Sequence, residues 1–448
     1  MNETMLPLIH VAAERIRHGR LSLLELLDTC LDRIERLEPR LRAWVFVDRE
    51  GARAEAKRLA AELERGHWRG PLHGIPIGIK DIIDVFDWPT AAGSRLWAQS
   101  IARRDATVVE RLRQAGAVLL GKTVTTAYAS FDPPPTHNPW NLARTPGGSS
   151  SGSAAAVATG MCLGALGSQT GGSITRPASY CGAAGCKPTW GRVSVAGVVP
   201  LAPSMDHVGP LAGCVRDLAI LLQTIAGADP RDPDCSGRSV PDLEARLTGA
   251  LPPPRLGRLH GLFESLADPL MNELMERVTE GFRAQGARVV DVALPAGFGE
   301  VLARHQTVMA VEAAAFHGPR LERHPEDYPP RIRGLVEEGL ACPAPEYARC
   351  KEQQRRLREA MAGCFDGVDA LLTPATTGPA PAAEKTGNPA FNSPWSFTGL
   401  PTVSVPAGWS PAGLPLAIQL VGRPWEEAEV LAVAVWCEEA VKWERRDL

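Results

Sequence analysis

The sequence predicts an α/β fold with a substantially parallel sheet. The chain has 448 residues, which is enough for one large domain or for two to three ordinary ones. In its first third, short apolar runs of strand length alternate with amphipathic helices, a pattern typical of α/β folds. Hydrophobic residues make up 44% of the chain, and 43 glycines and 39 prolines indicate many tight turns. This composition excludes a disordered chain.

The first predicted elements are helices. Residues 22–38 carry apolar side chains at helical spacing, and Ser22 with Glu25 forms a capping box at the start of this helix. Residues 51–66 are rich in alanine, glutamate, lysine and arginine, and they predict a second helix. We therefore expect residues 1–65 to form an N-terminal helical part.

Strands are predicted after this helical part. Residues 74–81 form an apolar run whose only charges lie at its end, and this run predicts a buried strand. Residues 107–114 predict a helix, and residues 117–120 predict a short buried strand.

The rest of the chain divides by composition. Residues 145–213 hold 14 of the 43 glycines, and residues 368–424 form short apolar runs broken by proline and glycine. We expect these two parts to meet in one core. Between them, residues from about 230 to 365 are rich in charged side chains, and they predict a helical elaboration within the domain.

Charge, cysteine spacing and apolar runs exclude several classes of protein. The 48 basic and 51 acidic residues leave a net charge of −3, so no nucleic-acid partner is expected. The ten cysteines lack metal-site spacing and are expected to be reduced thiols. Residues 1–5 lack the basic start of a secretory signal, and the apolar run at 153–167 is shorter than a membrane span of ~20 residues. We expect a cytoplasmic monomer or homodimer with no metal, cofactor or membrane partner.

Two short motifs match known active-site patterns, but each lies in an unsuitable context. Residues 116–123 match the phosphate-binding loop G-x-x-x-x-G-K-[ST], although the middle of this motif is the predicted strand itself. Residues 148–152 match the G-x-S-x-G elbow with Ser150 as nucleophile, but a loop leads into it where a strand is required. With His207 beside Asp206, this motif leaves an esterase of the α/β-hydrolase type open as an alternative.

Three other segments together favour a catalytic site. Lys80 ends an apolar strand, where desolvation can lower its pKa until the neutral amine serves as a base. Residues 146–153 carry serines among glycines at the start of an alanine-rich helix. Residues 170–173 offer successive backbone N–H groups with little side-chain bulk, as an oxyanion requires. Each segment alone is better explained as a strand end, a cap or a loop, so only their combination indicates catalysis.

These segments, in this order, resemble the amidase signature family of serine hydrolases. The resemblance covers most of the chain outside the region from about 230 to 365, and it implies one domain over residues 1–448 with a large mixed sheet flanked by helices. The matching segments are GIPIGIKD at 74–81, PGGSSSGSAAAVA at 146–158, GSQTGGSITRPASYCGAAGCKPTWG at 167–191, SMDHVGP at 204–210, GNPAFNSPWSFTGLPTVSVPAG at 387–408 and GLPLAIQLVGR at 413–423.

The resemblance also implies a catalytic triad. Ser173 is then the nucleophile, Ser149 bridges after a cis peptide bond, and Lys80 is the base. Protons pass from Ser173 to Ser149 and from Ser149 to Lys80, and water releases the acyl-enzyme. The oxyanion hole is formed by backbone N–H groups of Thr170, Gly171, Gly172 and Ser173.

The sequence says less about the substrate. The triad implies hydrolysis of acyl C–N bonds of small amides, and the same chemistry serves carbamates and small esters. Arg176 could pair with a substrate carboxylate, although a structural ion pair is the more common role for such an arginine. Tyr128 and Phe131 could wall the acyl pocket or pack in a surface loop.

One alternative from a different functional class remains within the family. The glutamine-hydrolysing subunit of an aminoacyl-tRNA amidotransferase shares the signature and works inside a complex. The chain is rather short for that subunit.

Overall fold

The strands come from every part of the chain. The computed structural model describes residues 6–448, so the prediction made on residues 1–5 lies outside the described residues. Eleven strands are formed within the described range: β1 (Trp44–Val47), β2 (Pro76–Lys80), β3 (Val118–Thr123), β4 (Gly164–Gln169), β5 (Ala184–Lys187), β6 (His207–Ala212), β7 (Arg255–Leu259), β8 (Arg288–Val292), β9 (Ala370–Pro374), β10 (Thr402–Trp409) and β11 (Pro415–Val421).

Helices flank these strands along the whole chain. Residues 6–448 form fourteen α-helices: α1 (Ile9–Arg17), α2 (Leu23–Leu41), α3 (Arg49–Glu64), α4 (Thr107–Gln114), α5 (Ser151–Ala158), α6 (Thr175–Cys181), α7 (Val215–Ile225), α8 (Leu262–Ser265), α9 (Pro269–Ala284), α10 (Val301–Arg323), α11 (Pro330–Ala341), α12 (Ala344–Ala360), α13 (Ser393–Thr398) and α14 (Glu427–Val441).

All eleven strands belong to one mixed sheet in the order β1-β3-β2-β4-β6-β5-β10-β11-β9-β7-β8. The fold is thus a single α/β domain, as the sequence predicts. Parallel pairing is confined to β3-β2-β4 and β9-β7-β8, so the expectation of a substantially parallel sheet is too strong. The five pairings at the centre, from β4 to β9 in the sheet order, are antiparallel, and the short connection at 410–414 can join β10 to β11 only in that way.

The predicted N-terminal elements are found with small shifts at their ends. Helix α2 begins after Ser22, whose hydroxyl accepts the N–H groups of Leu24 (3.2 Å) and Glu25 (3.5 Å). Strands β2 and β3 are buried along their whole length, as their apolar runs predict, and this burial extends to Lys80 and Lys122 near their ends. The N-terminal part is not wholly helical, because β1 lies between α2 and α3 and pairs with β3.

The glycine-rich and proline-rich parts meet as predicted. Strand β5 pairs with β10 through Cys186 and Val403, which joins the two parts in the middle of the sheet. The charged segment between them carries β7 and β8 in addition to its helices. These strands extend one edge of the sheet, and β8 lies at the edge itself, where charged residues can alternate with apolar ones. The segment therefore contains the predicted helices, α8 to α12, and also two strands that its composition does not predict.

All ten cysteines are free thiols and eight are buried. Within residues 6–448, no helix combines the length and the apolar composition that crossing a membrane requires.

Candidate active site

Lys80 lies at the centre of the candidate site. It is the last residue of β2 and is fully buried. Parallel pairing of Ile79 with Leu166 of β4 brings the segment after Leu166 beside it. Its Nζ donates hydrogen bonds to the Oγ atoms of Ser149 (2.7 Å) and Ser168 (2.8 Å).

The surroundings of Lys80 favour the neutral amine. Burial holds its pKa well below the ordinary value, and a smaller effect of Asp206 acts in the opposite direction. The adjacent Asp81 does not neutralise Lys80, because its carboxylate forms an ion pair with Lys122 (3.1 Å). Ile79 and Lys122 are register partners, so Lys122 lies on the opposite face of the sheet from Lys80. Among the described residues, no carboxylate forms an ion pair with Lys80.

Ser149 reaches Lys80 from the loop that precedes α5. The peptide bond between Gly148 and Ser149 is cis, as the family resemblance implies. The carbonyl of Gly148 accepts a hydrogen bond from Nη2 of Arg176 (2.7 Å), and the Ser149 side chain is fully buried. Gly152 lets this loop approach the sheet, because a Cβ there would lie 2.2 Å from the Ala43 carbonyl oxygen.

Ser173 lies in the turn between β4 and α6 and is 8% exposed. Its carbonyl accepts the N–H of Ser150 (3.3 Å), which brings the Ser149 loop beside the turn. Within residues 6–448 the Ser173 hydroxyl has no hydrogen-bond partner, so the predicted link from Ser173 to Ser149 is not formed in this conformation. Such bonds are often long without substrate and shorten in the complex.

The turn before Ser173 is held through its backbone carbonyls. Three successive carbonyls accept hydrogen bonds: Thr170 from Nε2 of His305 (2.9 Å), Gly171 from Oγ of Ser396 (3.0 Å) and Gly172 from N of Arg176 (3.0 Å). In a planar trans peptide the N–H points away from the carbonyl. Each of the N–H groups of Gly171, Gly172 and Ser173 therefore points away from the donor that holds the carbonyl of its own peptide, and none has an acceptor in the part of the chain that the structure describes.

Thr170 takes part in the same turn through its side chain. Its hydroxyl donates to the half-buried carboxylate of Asp206, which also accepts the N–H groups of Leu201 (2.9 Å) and Ala202 (3.0 Å). Burial raises the pKa of this carboxyl group. Asp206 therefore links the Thr170 side chain to the backbone of residues 201–202.

Arg176 does not make the expected structural ion pair. It is 1% exposed, and no carboxylate contacts it among residues 6–448. Nε and Nη1 have no hydrogen-bond partner there. Burial lowers the pKa of Arg176 to about 10. Its one side-chain hydrogen bond supports the cis peptide at Gly148.

Phe131 and Tyr128 have different surroundings. Phe131 lines a cavity of about 460 Å³ together with Tyr180 and Thr386. Thr386 also packs against Gly148, since its methyl carbon would lie 3.0 Å from a Cβ placed on that glycine. The cavity thus adjoins the cis peptide. Tyr128 does not line this cavity, because it stacks on Tyr328 (4.7 Å between ring centres) and donates to Asp327.

The two competing motifs are not assembled as active sites. Ser150 Oγ donates to the Ser168 carbonyl (3.2 Å), while His207 donates through Nδ1 to the carbonyls of Met205 (2.6 Å) and Gln169 (3.1 Å). Ser150, His207 and Asp206 therefore form no triad. In the phosphate-loop motif, Lys122 is buried within strand β3 and bound to Asp81, so it is not available to a phosphate.

One group of residues in the described chain has the composition of a metal site: His10, Cys214 and Asp217. Asp217 already accepts the N–H groups of Ile9 (2.7 Å) and His10 (3.0 Å) and contacts Nδ1 of His10 (2.7 Å). These bonds tie α1 to α7, so the group has a structural role.

Sequence reasoning missed three side chains that contact the predicted site. Ser168 lies within a signature segment, and its position two residues after Leu166 on β4 could have suggested contact with Lys80. Ser396 also lies within a signature segment, at 387–408, but nothing in the sequence indicates its contact with Gly171. His305 carries no such signal, because it lies outside those segments and 135 residues from Thr170.

Comparison with known proteins agrees with this architecture. The sequence matches the amidase family over residues 25–431. It is 38% identical to a putative amidase, AmiD, of Mycobacterium tuberculosis, with 93% of this chain and 90% of that protein covered. It is 36% identical to a glutamyl-tRNA(Gln) amidotransferase subunit of a Synechococcus species, with 95% of each chain covered.

The structure is similar to that of the peptide amidase of Stenotrophomonas maltophilia, with a TM-score of 0.88, 32% identity, and 99% and 98% of the two chains covered. The chain spans almost the full length of these relatives, so the match includes both the strands around Lys80 and the edge of the sheet beyond β11. The chain therefore belongs to the amidase signature family, whose members are hydrolases acting on C–N bonds.

Proposed function

We propose that the protein hydrolyses acyl C–N bonds of small amides, with Ser173 as nucleophile, Ser149 as bridging serine and Lys80 as base. The observation that carries this proposal is the placement of Lys80, which is buried without a carboxylate partner in the described chain and lies 2.7 Å from Ser149 Oγ. A lysine in such a place can exchange a proton with a hydroxyl. Lys122, by contrast, has a carboxylate partner in Asp81.

The proton relay follows from these contacts. Neutral Nζ has two N–H groups and one lone pair, so it can donate to Ser168 while it accepts the proton of Ser149. Ser149 then accepts the proton of Ser173 as the Ser173 oxygen attacks the carbonyl carbon. When the C–N bond breaks, the protons return in the opposite order and the leaving nitrogen receives one. Water takes the place of the amine in the second half and releases the acid.

The oxyanion of the tetrahedral intermediate is expected beside the turn at 171–173. The N–H groups of Gly171, Gly172 and Ser173 have no acceptor within residues 6–448, so they are free to donate to an oxyanion. Hydrogen-bond donors that are already oriented stabilise the developing charge without further rearrangement, and removal of one such donor typically slows catalysis by about 10²–10³-fold.

Three substitutions test the triad. We expect Ser173→Ala, Ser149→Ala and Lys80→Met each to lower kcat by about 10³-fold or more, because each breaks the proton relay. The substrate is an anilide that the wild-type protein hydrolyses. A fluorophosphonate probe should label the wild type and fail to label Ser173→Ala. Circular dichroism checks that each variant is folded.

Ser151→Ala is the matched control, because Ser151 is equally buried at the start of α5, and the only hydrogen bond of its hydroxyl within residues 6–448 is to the Val124 carbonyl (3.3 Å). This variant should keep its activity. A fully active Ser173→Ala protein would exclude the proposed nucleophile.

The acyl group is proposed to enter the cavity lined by Phe131, Tyr180 and Thr386, because this cavity adjoins the cis peptide before Ser149. Arg176 is the one predicted binding residue with unused N–H groups, at Nε and Nη1, and a substrate carboxylate that reached them would be bound through charge and hydrogen bonds. Carbamates and small esters present the same carbonyl to Ser173 and are proposed as further substrates.

The glutamine-hydrolysing subunit remains the second candidate, because the sequence matches the amidotransferase chain of the Synechococcus species over 95% of its length. The shortness of the chain is therefore no argument against it. One experiment distinguishes the amidase from the glutamine-hydrolysing subunit. The isolated protein is incubated with glutamine, simple anilides and aryl carbamates. Turnover of anilides by the isolated chain supports the amidase, whereas turnover of glutamine alone, and only with added partner subunits, supports the amidotransferase.

A further inference from the structure

His305 is a buried polar side chain that reaches the candidate site from the charged segment between the two signature regions. It lies one turn into α10 and is 3% exposed. Its Nε2 donates to the carbonyl of Thr170 (2.9 Å). Its Cε1 lies 3.6 Å from the position that a Cβ on Gly171 would occupy, so the ring also packs against the turn.

This contact acts on the peptide between Thr170 and Gly171. The Thr170 carbonyl and the Gly171 N–H belong to one planar unit, so holding the oxygen on the His305 side directs the N–H to the other side. Glycine has a wide range of accessible backbone angles, so the two glycines alone would not fix this plane. Ser396 fixes the following peptide in the same way, through the Gly171 carbonyl.

The protonation state of His305 is compatible with this role. The Thr170 oxygen can only accept, so Nε2 carries the hydrogen. Burial lowers the pKa of His305 to about 4, so the ring is neutral near neutral pH and places no positive charge behind the turn. A neutral donor is sufficient, because only the orientation of the carbonyl is required.

We propose that His305 is a positioning residue that holds the Thr170–Gly171 peptide so that the Gly171 N–H faces the oxyanion of the reaction at Ser173. The inference rests on the proposed amidase function and adds to it that a residue outside the signature segments sets the geometry of the oxyanion hole. His305 touches neither the nucleophile nor the relay in the described structure, so it acts through the turn.

The test compares two substitutions at this position. His305→Leu removes the donor at similar volume, whereas the side-chain amide of His305→Gln can place an N–H where Nε2 lies. The readouts are the second-order rate of labelling by a fluorophosphonate, whose phosphoryl oxygen uses the same hole, and kcat and KM for an anilide. We expect His305→Leu to label about 10- to 100-fold more slowly, with kcat reduced to a similar extent and KM changed little, because the oxyanion contact is made in the transition state. His305→Gln should recover most of the rate.

His317→Leu is the matched control. His317 lies on the same helix, is buried, and contacts the Pro200 carbonyl through Nε2 (3.2 Å), away from the turn. The His317→Leu protein should be less stable than the wild type, but the fluorophosphonate should label it at the wild-type rate. If His305→Leu does not fold, His305→Asn replaces it, because its amide is polar but too short to reach the carbonyl. Equal labelling rates for the donor-free His305 variant and His317→Leu would overturn the proposal. Labelling of Ser173→Ala at the wild-type rate would instead overturn the proposed function, so the two failures are distinguishable.

Discussion

Gly172 has no space for a side chain, because Asn392 lies directly against it. A Cβ on Gly172 would come within 2.6 Å of Oδ1 of Asn392 and 3.1 Å of its Cγ. Asn392 cannot easily withdraw, since it is fully buried and its Nδ2 donates to the Ala375 carbonyl (2.9 Å) and to Gln419 (3.1 Å). The glycine is thus required by close packing between the two halves of the chain.

Substitution of the two turn glycines should therefore have unequal effects on stability. Gly172→Ala should lower the free energy of unfolding by about 1–3 kcal/mol, because the added methyl group overpacks a rigid neighbour. Gly171→Ala should change it much less, since its nearest atoms, led by Oγ of Ser393 at 3.4 Å, are at ordinary contact distance. Thermal unfolding measures both. Equal losses of stability in the two variants would show that the loss of backbone freedom, and not the contact with Asn392, destabilises Gly172→Ala.

At the scale of elements, α10 and α11 pack so closely that their backbones touch at a glycine. A Cβ on Gly339 of α11 would lie 1.9 Å from the Ala310 carbonyl oxygen of α10 and 2.8 Å from Cβ of Ala314. Five residues earlier on α11, Gly334 has no atom within 4 Å of its Cβ position. One helix thus carries a packed glycine and an open one.

These two glycines predict opposite changes in stability. Gly334→Ala should raise the free energy of unfolding by about 0.5–1 kcal/mol, because alanine loses less conformational entropy in a helix. Gly339→Ala should lower it by more than about 1 kcal/mol, because the helices must separate. Denaturant unfolding distinguishes the two. A stabilised Gly339→Ala protein would contradict the close packing of α10 and α11.

Elements with one clear periodicity were predictable from sequence. Strand β2 is apolar up to Lys80 at its end and α4 follows helical spacing, and both are found close to the predicted limits. Strands β7 and β8 were missed because Arg255, Arg288 and Asp291 place charges within runs of five residues. Such runs become strands only because a neighbouring strand is available to pair with them, which short windows of sequence do not reveal.

For the whole molecule, Glu438 links the last helix to the middle of the chain. Both of its carboxylate oxygens lie 3.1 Å from the N–H of Val215, so α14 supports the start of α7. Burial raises the pKa of Glu438 to about 8, with Asp217 adding to the rise. The folded protein therefore prefers the neutral acid, whereas the unfolded chain ionises near 4.5.

This difference predicts a pH-dependent contribution to stability. The contribution is complete below pH 4.5 and is lost as the pH rises through about 8. Glu438→Gln keeps an acceptor for Val215 and cannot ionise. Its Tm relative to the wild type should therefore increase from about pH 5 to about pH 8.5. A Tm difference that is constant with pH would show that Glu438 does not titrate in this range.

Most of the candidate site could be predicted from the sequence because its members occupy contiguous segments with unusual composition. Lys80, Ser149 and the turn at 170–173 lie in such segments, and the structure brings Lys80 and Ser149 into contact. The side chains that hold the turn come from distant parts of the chain, as Ser396 and His305 do. Their roles depend on how α10 and α13 pack against the sheet, which no local pattern encodes.

The pairing of β2 with β4 limits where the chain can change in length. Because successive side chains on a strand face opposite sides, one residue inserted between Ile77 and Lys80 would turn the lysine to the face that holds Lys122 and Asp81. Two inserted residues would restore the face but shift the amine by roughly 6.6 Å along the strand. Insertions and deletions during evolution should therefore be excluded from residues 76–80 and 164–169, whereas the exposed connections between helices can lengthen freely.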